Sequence, residues 1–264
     1  WKLIKQFSPA YTDGYLLAAV DAKRQFDGGV AQVSESRRIY LPLFVRTLRL
    51  SLIITLLTLL FGFPVAYLMA TLPTKASNVL LIFVLLPFWT SLLVRTTAWI
   101  ALLQQQGVIN EFLVVVGLVS TENRPQMIHN EFGTIVAMTH ILLPFMVLPL
   151  FSVMKTIPDS YVRAAVSLGA HPWVAFWKVY FPNTVPGIGA GAILVFILAI
   201  GYYITPELVG GTTGTFISNR IAHHISSSLN WGLAASLGII LLGVVIALFL
   251  IYDKIVGIDN MKLG

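Results

Sequence analysis

Two acidic residues beside long apolar segments, Glu111 and Glu207, are the side chains best suited to chemistry with a charged solute. Charges beside membrane-crossing segments are rare and often mark solute pathways. Carboxylates and aromatic faces can replace the water around an ammonium group, because cation–π contacts recover part of its desolvation cost. Acids and aromatic residues beside the apolar segments are therefore the candidate contacts of a solute pathway, should the solute be a cation. The candidate residues are Glu111, Glu207, Trp89, Trp99, Tyr202, Tyr203 and Asn110.

Each of these residues also has a simpler role open to it. Glu111 suits the cap of a short helix outside the membrane. Tyrosine and tryptophan are common at membrane interfaces whatever the protein does. Arg95 offers either acid an ion-pair partner. These alternatives remain open at the level of sequence.

The composition is that of a membrane protein. Of 264 residues, 57% are hydrophobic and only 11% charged, with a mean hydropathy of +0.83, far from a soluble domain. There is no cysteine, which excludes disulfides and thiolate metal sites. The net charge of +6 comes from scattered Lys and Arg that mostly flank apolar runs. That pattern favours a membrane surface over nucleic acid as the partner of these bases.

Five apolar runs are long enough to cross a bilayer, which takes about 20 helical residues. They cover about 50–72, 79–103, 132–154, 186–205 and 232–252. Each is predicted to be a helix, because lipid leaves no other partner for the backbone. Prolines inside the runs predict kinks typical of a translocation path. These prolines are Pro64, Pro87, Pro144 and Pro149.

Residues 1–40 are too polar to span and are predicted to be an extracytoplasmic segment preceding a transmembrane domain at 41–264. The chain does not begin with Met, so we expect a first membrane helix to precede Trp1 in the full-length protein.

A polar segment between the third and fourth runs has the features of a docking loop, about 155–185. Its Arg163-Ala164-Ala165 sequence continues to Gly169-Ala170. Small residues let a helix lie close in a partner's groove, and Gly169 lets the chain turn. Pro182 is predicted to begin the return to the membrane.

Six further motifs occur in order along the chain. They are Phe61-Gly-Phe-Pro64-Val-Ala-Tyr67, Leu86-Pro87-Phe88-Trp89-Thr90-Ser91, Val94-Arg95-Thr96, Ile109-Asn110-Glu111-Phe112, Ile141-Leu-Leu-Pro144-Phe-Met-Val-Leu-Pro149-Leu150 and Pro206-Glu-Leu-Val-Gly210-Gly211. With the docking loop, they resemble permease subunits of binding-protein-dependent ABC importers, in the spermidine/putrescine branch. The similarity runs from about Tyr40 to the end.

The resemblance implies an all-α polytopic bundle of the type-I importer permease kind, with six membrane helices of which five are visible. It implies a bacterial inner-membrane location and three kinds of partner: an ABC ATPase dimer, a second homologous permease and an extracytoplasmic solute-binding protein. The docking loop would be the ATPase-coupling site. Its residues would be Arg163, Ala164, Ala165, Gly169, Ala170 and Pro182.

Arg163 departs from the family, which usually has Glu at this position. The sign of the contact with the ATPase would then be reversed. Three explanations for Arg163 are open. The ATPase carries a compensating acid, the second permease makes most of the contact with the ATPase, or Arg163 simply faces water.

The chain lacks its own means of binding ATP. It has no G-x-x-x-x-G-K-[ST] loop, and its Gly210-Gly211-Thr-Thr-Gly214 sequence has no lysine to hold phosphates. We therefore expect no enzyme activity and no cofactor in this chain, with ATP and Mg bound by the partner ATPases. The resemblance implies polyamine import by alternating access. Ferric iron, opines or other small solutes are the alternatives within this architecture, and an ATP-independent transporter or channel lies outside it.

The remaining polar clusters predict neither a metal site nor catalysis. His223 and His224 are adjacent, so on a helix they point about 100° apart and do not share a metal. Ser226, Ser227 and Ser228 have no recognisable base.

The distribution of bases predicts the orientation. With the docking loop in the cytoplasm, Arg124 and Arg220 fall in outer loops, and the inner side gains several lysines. These lysines are Lys75, Lys155, Lys178, Lys254 and Lys262. The bases of residues 1–40 would then lie outside, against the usual tendency.

Overall fold

The computed structural model describes residues 13–25 and 29–256. Within this part the chain forms a helical bundle with one small antiparallel hairpin, β1 (Ala22–Arg24) and β2 (Val30–Gln32). The helices are α1 (Gly14–Ala19), α2 (Tyr40–Thr71), α3 (Thr74–Leu85), α4 (Leu92–Leu103), α5 (Val108–Val115), α6 (Glu131–Thr156), α7 (Asp159–Ser167), α8 (Pro172–Gly201), α9 (Ile204–Val209), α10 (Ile217–Ser226) and α11 (Trp231–Val256). A 3₁₀ turn, Glu35–Arg37, precedes α2.

Four described helices are long and apolar enough to cross a membrane: Tyr40–Thr71, Glu131–Thr156, Pro172–Gly201 and Trp231–Tyr252. Their number rises to five if the bent pair Thr74–Trp89 and Leu92–Val115 counts as one span. The all-α polytopic prediction is therefore confirmed. Two spans begin earlier than predicted, because α2 and α8 continue as helices through the polar residues that precede the apolar runs.

The second predicted span, about 79–103, is not one helix. The α3 helix ends at Leu85 and gives way to a 3₁₀ turn, Leu86–Trp89, before α4 begins at Leu92. The two halves are bent by 96°. Pro87 has no backbone N–H to continue an α-helix, and Ser91 is extended with ψ of 142°. A sequence of sufficient apolar length thus contains a break rather than a mild kink.

Pro182 does not begin the return helix, contrary to the prediction. That helix, α8, starts ten residues earlier at Pro172, where a missing N–H is harmless in the first turn. Pro182 lies inside the helix, directly after a π-helical stretch, Phe176–Tyr180. The wider turn of a π segment accommodates the carbonyls that a proline leaves without a donor.

The core is formed by α2, α6 and α8. Met146 on α6 lies between Gly62 of α2 and Gly191 of α8, and a Cβ at Gly191 would come within 2.7 Å of the Met146 sulfur. Gly187 lies against the backbone of α6, where a Cβ would meet the Pro149 carbonyl oxygen at 3.3 Å. The helices approach this closely because glycine has no side chain to hold them apart.

The bundle has two distinct ends. At the α7 end lie the 72–73 turn and the loop helix α7. At the α10 end lie residues 13–25 and 29–39, the 104–130 loop and the 202–230 segment. The glycine-rich sequence Gly210–Gly214 is hydrogen-bonded to two helices at this end. Arg46 of α2 donates to the Thr212 carbonyl at 2.8 Å, and Thr134 of α6 donates to the Gly214 carbonyl at 3.0 Å.

The described part of the N-terminal segment packs on the α10 end and does not span. A small buried cluster joins α1 to α2, α10 and α11. Its members are Ala19, Leu43, Phe44, Ile217, Leu233 and Leu237. Asp21, 5% exposed, accepts the N–H groups of Ile39, Tyr40 and Leu41 at 3.0, 3.2 and 2.7 Å. Its carboxylate therefore caps α2 from outside the helix.

We expect Asp21→Ala to lower the thermal stability of the purified protein. The substitution leaves three N–H groups at the start of α2 without an acceptor, and a lost cap costs about 1–2 kcal/mol. Thermal unfolding in detergent measures the effect. Asp13→Ala is the matched control, because its ion pair with Arg24 is exposed on both sides. Equal shifts for the two variants would contradict the capping role.

Candidate translocation and coupling sites

The break in the second span lies at membrane depth. Phe88 packs edge-on against Phe145 with ring centroids 5.1 Å apart, and Phe145 lies near the middle of α6. Thr90 donates its hydroxyl to the Pro87 carbonyl at 2.9 Å, while Trp89 is 89% exposed. Irregular backbone is tolerated at this depth only where protein buries it or a polar cavity meets it. The break therefore marks the part of the bundle that does not face lipid.

The helix after the break brings predicted pathway residues together. Thr96 on α4 shares a hydrogen bond of 3.2 Å with Thr205 on α9, which fixes α4 beside the Tyr202–Tyr203 segment. Trp99, one turn further, donates its indole N–H to Nδ1 of His140 at 3.2 Å. One region of the bundle is thus bordered by Trp99, Tyr202 and Tyr203. His140 on α6 lies in the same region. The sequence signal for His140 was its being the only histidine inside an apolar run.

Glu207 is an exposed carboxylate held in place by an amide. Asn219 on α10 donates through Nδ2 to Glu207 Oε2 at 2.7 Å and to the Tyr203 carbonyl at 2.8 Å. The Asn219 Oδ1 accepts from the Phe216 N–H at 2.9 Å, which fixes the amide's orientation. No salt bridge neutralises Glu207 within residues 13–25 and 29–256. This acid is positioned by its neighbours and has no ion-pair partner among the described residues.

Glu111 and Asn110 lie elsewhere, in the 104–130 loop. Glu111 is in the first turn of α5 and accepts from Arg124 at 2.7 Å, so its charge is already paired. Asn110 is fully buried, and its amide donates to the Gln104 and Pro125 carbonyls at 3.2 and 3.1 Å. Asn110 holds the loop together. Its role in a solute pathway, like that of Glu111, stays a prediction that this placement does not favour.

Arg95 pairs with neither acid. Glu111 is bound to Arg124, and Glu207 to Asn219. The Nε and Nη1 atoms of Arg95 are buried and have no hydrogen-bond partner among the described residues.

Three of the predicted coupling residues lie in an exposed loop helix at the α7 end. Helix α7 contains Arg163, Ala164 and Ala165, and ends at Ser167. Gly169 follows with φ of +91°, the left-handed conformation expected of a glycine after a helix. Leu168 is 89% exposed, although it is apolar. Arg163 is exposed and has no ion pair in the described part of the chain, so facing water accounts for it in the isolated subunit.

Aromatic rings hold α8 against α2 just behind this loop. Phe176 stacks on Tyr180, with centroids 5.7 Å apart, and meets Tyr67 of α2 edge-on at 5.6 Å. A cavity opens between this cluster and α7. Its lining includes Tyr67, Thr71, Pro158, Asp159, Arg163 and Tyr180. The loop helix therefore lies beside the start of α8, with this cavity next to it.

His224 has a structural role at the α10 end. Its Nε2 contacts the Tyr40 hydroxyl at 3.0 Å, and its Nδ1 contacts the Ser228 hydroxyl at 2.8 Å. Burial, with His223 and Arg220 nearby, lowers the pKa of His224 below its usual 6.5. No cluster of three metal-ligating side chains occurs in the residues that the structure describes.

An apolar bundle with a broken span, an exposed loop helix and a polar region between helices defines an integral membrane permease. The family model described as "Binding-protein-dependent transport system inner membrane component" matches residues 60–257, so the chain belongs to this family. It is a multi-pass inner-membrane protein and a permease subunit of an ABC transporter. The family resemblance seen in the sequence is confirmed.

Several characterised proteins are similar to the chain. The spermidine/putrescine transport system permease protein PotB of Haemophilus influenzae is 34% identical over 77% of this chain and 71% of its own length. PotB of Escherichia coli is 33% identical over 85% and 81%. The inner membrane ABC transporter permease protein YdcU of Escherichia coli is 32% identical over 81% and 71%.

The fold is similar to solved importers. A bacterial alginate ABC transporter in complex with an alginate pentasaccharide-bound periplasmic protein aligns with a TM-score of 0.64 at 20% identity, covering 84% of this chain and 81% of that one. A second structure, of a bacterial ABC transporter involved in alginate import, gives 0.63 at 19% identity over 100% and 93%. At such identities the likeness concerns the fold.

Proposed function

We propose that this chain is the membrane-spanning subunit through which an ABC importer moves putrescine or spermidine into the cytoplasm. The support is twofold. Relatives named as spermidine/putrescine permeases are 33–34% identical over most of both chains. The observation that carries the proposal is Glu207, a carboxylate fixed by Asn219 beside Tyr203 and left without a cation among the described residues.

The side chains around Glu207 suit the binding of an ammonium group. The amide of Asn219 holds one carboxylate oxygen of Glu207, which leaves the other free to accept. Tyr203, 48% exposed, offers an aromatic face in the same segment. A carboxylate and a ring together replace the water that an alkylammonium ion loses on entry. Glu207 lies at the α10 end, where a solute arriving from outside would first meet the bundle in the predicted orientation.

The driving energy comes from partners in this proposal. The α7 end faces the cytoplasm and docks on an ABC ATPase dimer, which binds ATP and Mg. A second homologous permease completes the pathway, and a solute-binding protein delivers the polyamine at the α10 end. ATP binding favours one of two packings of the bundle, and hydrolysis returns it to the other. The chain itself is the conduit and carries out no reaction.

We expect Glu207→Gln to reduce polyamine uptake by about tenfold or more, because a hydrogen bond to a charged group contributes about 1.5–3 kcal/mol. The measurement is ATP-dependent uptake of labelled putrescine and spermidine into proteoliposomes that contain the cognate second permease, ATPase and binding protein. The substitution replaces the carboxylate with an amide of nearly the same size, so folding should be retained.

Glu111→Gln is the matched control, because Arg124 already neutralises that acid. It should change uptake little. Equal losses in the two variants would contradict a cation contact at Glu207. Wild-type complex that hydrolyses ATP without moving polyamine would redirect the search to ferric iron, opines or another small solute, and uptake indifferent to ATP would overturn the importer mechanism.

A further inference from the structure

Arg95 is a cation at membrane depth without a counter-charge. It lies one turn into α4, close to the break in the second span. Two of its three guanidinium nitrogens, Nε and Nη1, are inaccessible and unbonded, and no hydrogen bond from Nη2 is present in the described chain. Two acids that follow Arg95 along the chain are paired elsewhere, Glu111 with Arg124 and Glu131 with Arg49 at 2.5 Å, and no salt bridge in the described residues involves Arg95. An arginine does not discharge itself by losing a proton.

His140 adds a second hydrogen-bond donor to the same region. Its Nδ1 accepts from the Trp99 indole, so the proton of the neutral ring is on Nε2. Arg95 lies four residues before Trp99 and so on the same face of α4, which is the face that contacts the His140 ring. Arg95 Nη2 and His140 Nε2 therefore both offer protons, and the acceptor capacity of His140 is already used. A group that binds here must accept hydrogen bonds and carry negative charge, as a carboxylate does.

The position of His140 indicates that this surface does not face lipid. His140 lies nine residues into α6, about 14 Å from its start at 1.5 Å per residue. In a hydrocarbon layer about 30 Å thick that is near the middle, yet the His140 side chain is exposed in the isolated chain. Polar residues at this depth face protein or water rather than lipid.

We propose that Arg95 and His140 form a carboxylate-binding site at mid-membrane, filled in the assembled transporter by an aspartate or glutamate of the second permease subunit. This inference rests on the two-permease architecture of the proposed function. A cationic solute does not suit a positively charged site, so the solute contact belongs at Glu207 and the carboxylate belongs to protein. The pair joins the two subunits beside the break, where the pathway must open and close.

The test is a charge exchange in the assembled complex. Arg95→Glu should lower its thermal stability and reduce ATP-dependent uptake about tenfold or more, since it places two like charges together. Each Asp or Glu inside the spans of the cognate second permease is then changed to Arg in turn. One of these changes should restore both properties in the Arg95→Glu background while damaging the wild-type background. If none restores either property, the proposal is overturned.

Two further variants keep the test decisive if Arg95→Glu fails to fold. Arg95→Lys preserves the charge and should keep the complex assembled, whereas Arg95→Gln should weaken it. Arg124→Gln is the control, because it removes an arginine whose ion pair lies in the outer loop. An Arg95→Gln complex as stable and as active as wild type would overturn the proposal.

A titration with acetate and chloride separates a protein carboxylate from a free anion. If either ion stabilises the wild-type complex but not Arg95→Gln, the site takes a small anion, and the subunit contact is overturned. Thermal stability does not depend on which solute is carried. Failure of polyamine uptake in the wild type would therefore refute the proposed function. The thermal stability of the charge-exchange variants would still test the contact between the subunits.

Discussion

Leu168→Glu is expected to abolish ATP-driven uptake while leaving the fold of the bundle intact. Leu168 directly follows the last residue of α7 and is 89% exposed, so it contributes little to the stability of the isolated chain. A large apolar residue presented to solvent beside a short helix is typical of an anchor for a partner protein. Placing an unpaired carboxylate at such an anchor costs about 2–4 kcal/mol of binding, or about 30- to 1000-fold in affinity.

Three measurements on this variant separate coupling from folding. Thermal unfolding of the purified subunit should be unchanged, co-purification of the ATPase should fall, and uptake should fall with it. Leu118→Glu is the matched control. Leu118 is also apolar and 70% exposed, but lies in the 104–130 loop at the opposite end. Normal ATPase binding by Leu168→Glu, or an equal loss in Leu118→Glu, would refute docking at the α7 end.

Gly187→Val is expected to lower the thermal stability of the subunit by about 5–10 °C. A Cβ at Gly187 would lie 3.0 Å from Val153 Cβ and 3.3 Å from Leu150 Cα. The neighbouring backbone does not move aside as a flexible side chain would, so α8 must shift away from α6. Overpacking of this kind costs about 1–3 kcal/mol, and each 1 kcal/mol shifts the melting temperature of a chain this size by about 2–4 °C.

Gly243→Val controls for the helix propensity of valine. Gly243 lies in α11, is exposed, and has no atom within 4 Å of where a Cβ would be. Both variants place valine in a long apolar helix, so their difference measures the α6–α8 contact. If Gly187→Val unfolds at the same temperature as Gly243→Val, the two helices are not in close contact at this point.

The membrane-spanning architecture could be predicted from the sequence because long apolar runs admit few alternatives in lipid. The family followed from motifs in the right order. Arg163-Ala164-Ala165 to Gly169 indicated an exposed loop helix, and α7 with its left-handed Gly169 is such a helix. Whether these residues couple to an ATPase stays a prediction.

Features that depend on direction in space could not be predicted in this way. Hydropathy measures how apolar 79–103 is, but not that the chain turns by 96° within it. Glu111 and Glu207 looked alike as acids beside spans, and only the structure shows that Arg124 neutralises one while Asn219 merely positions the other. The start of α8 was predicted at Pro182 instead of Pro172. A proline in the first turn of a helix and a proline that follows a π-helical stretch look the same in a sequence.

The continuity of α8 has a mechanical consequence. The helix runs from Pro172 to Gly201, and one of its close contacts with α6, at Gly187, lies about 23 Å from one tip and about 21 Å from the other at 1.5 Å per residue. A rod tilting about Gly187 is a lever with nearly equal arms. A sideways displacement of one tip would therefore reappear at the other almost undiminished and in the opposite direction.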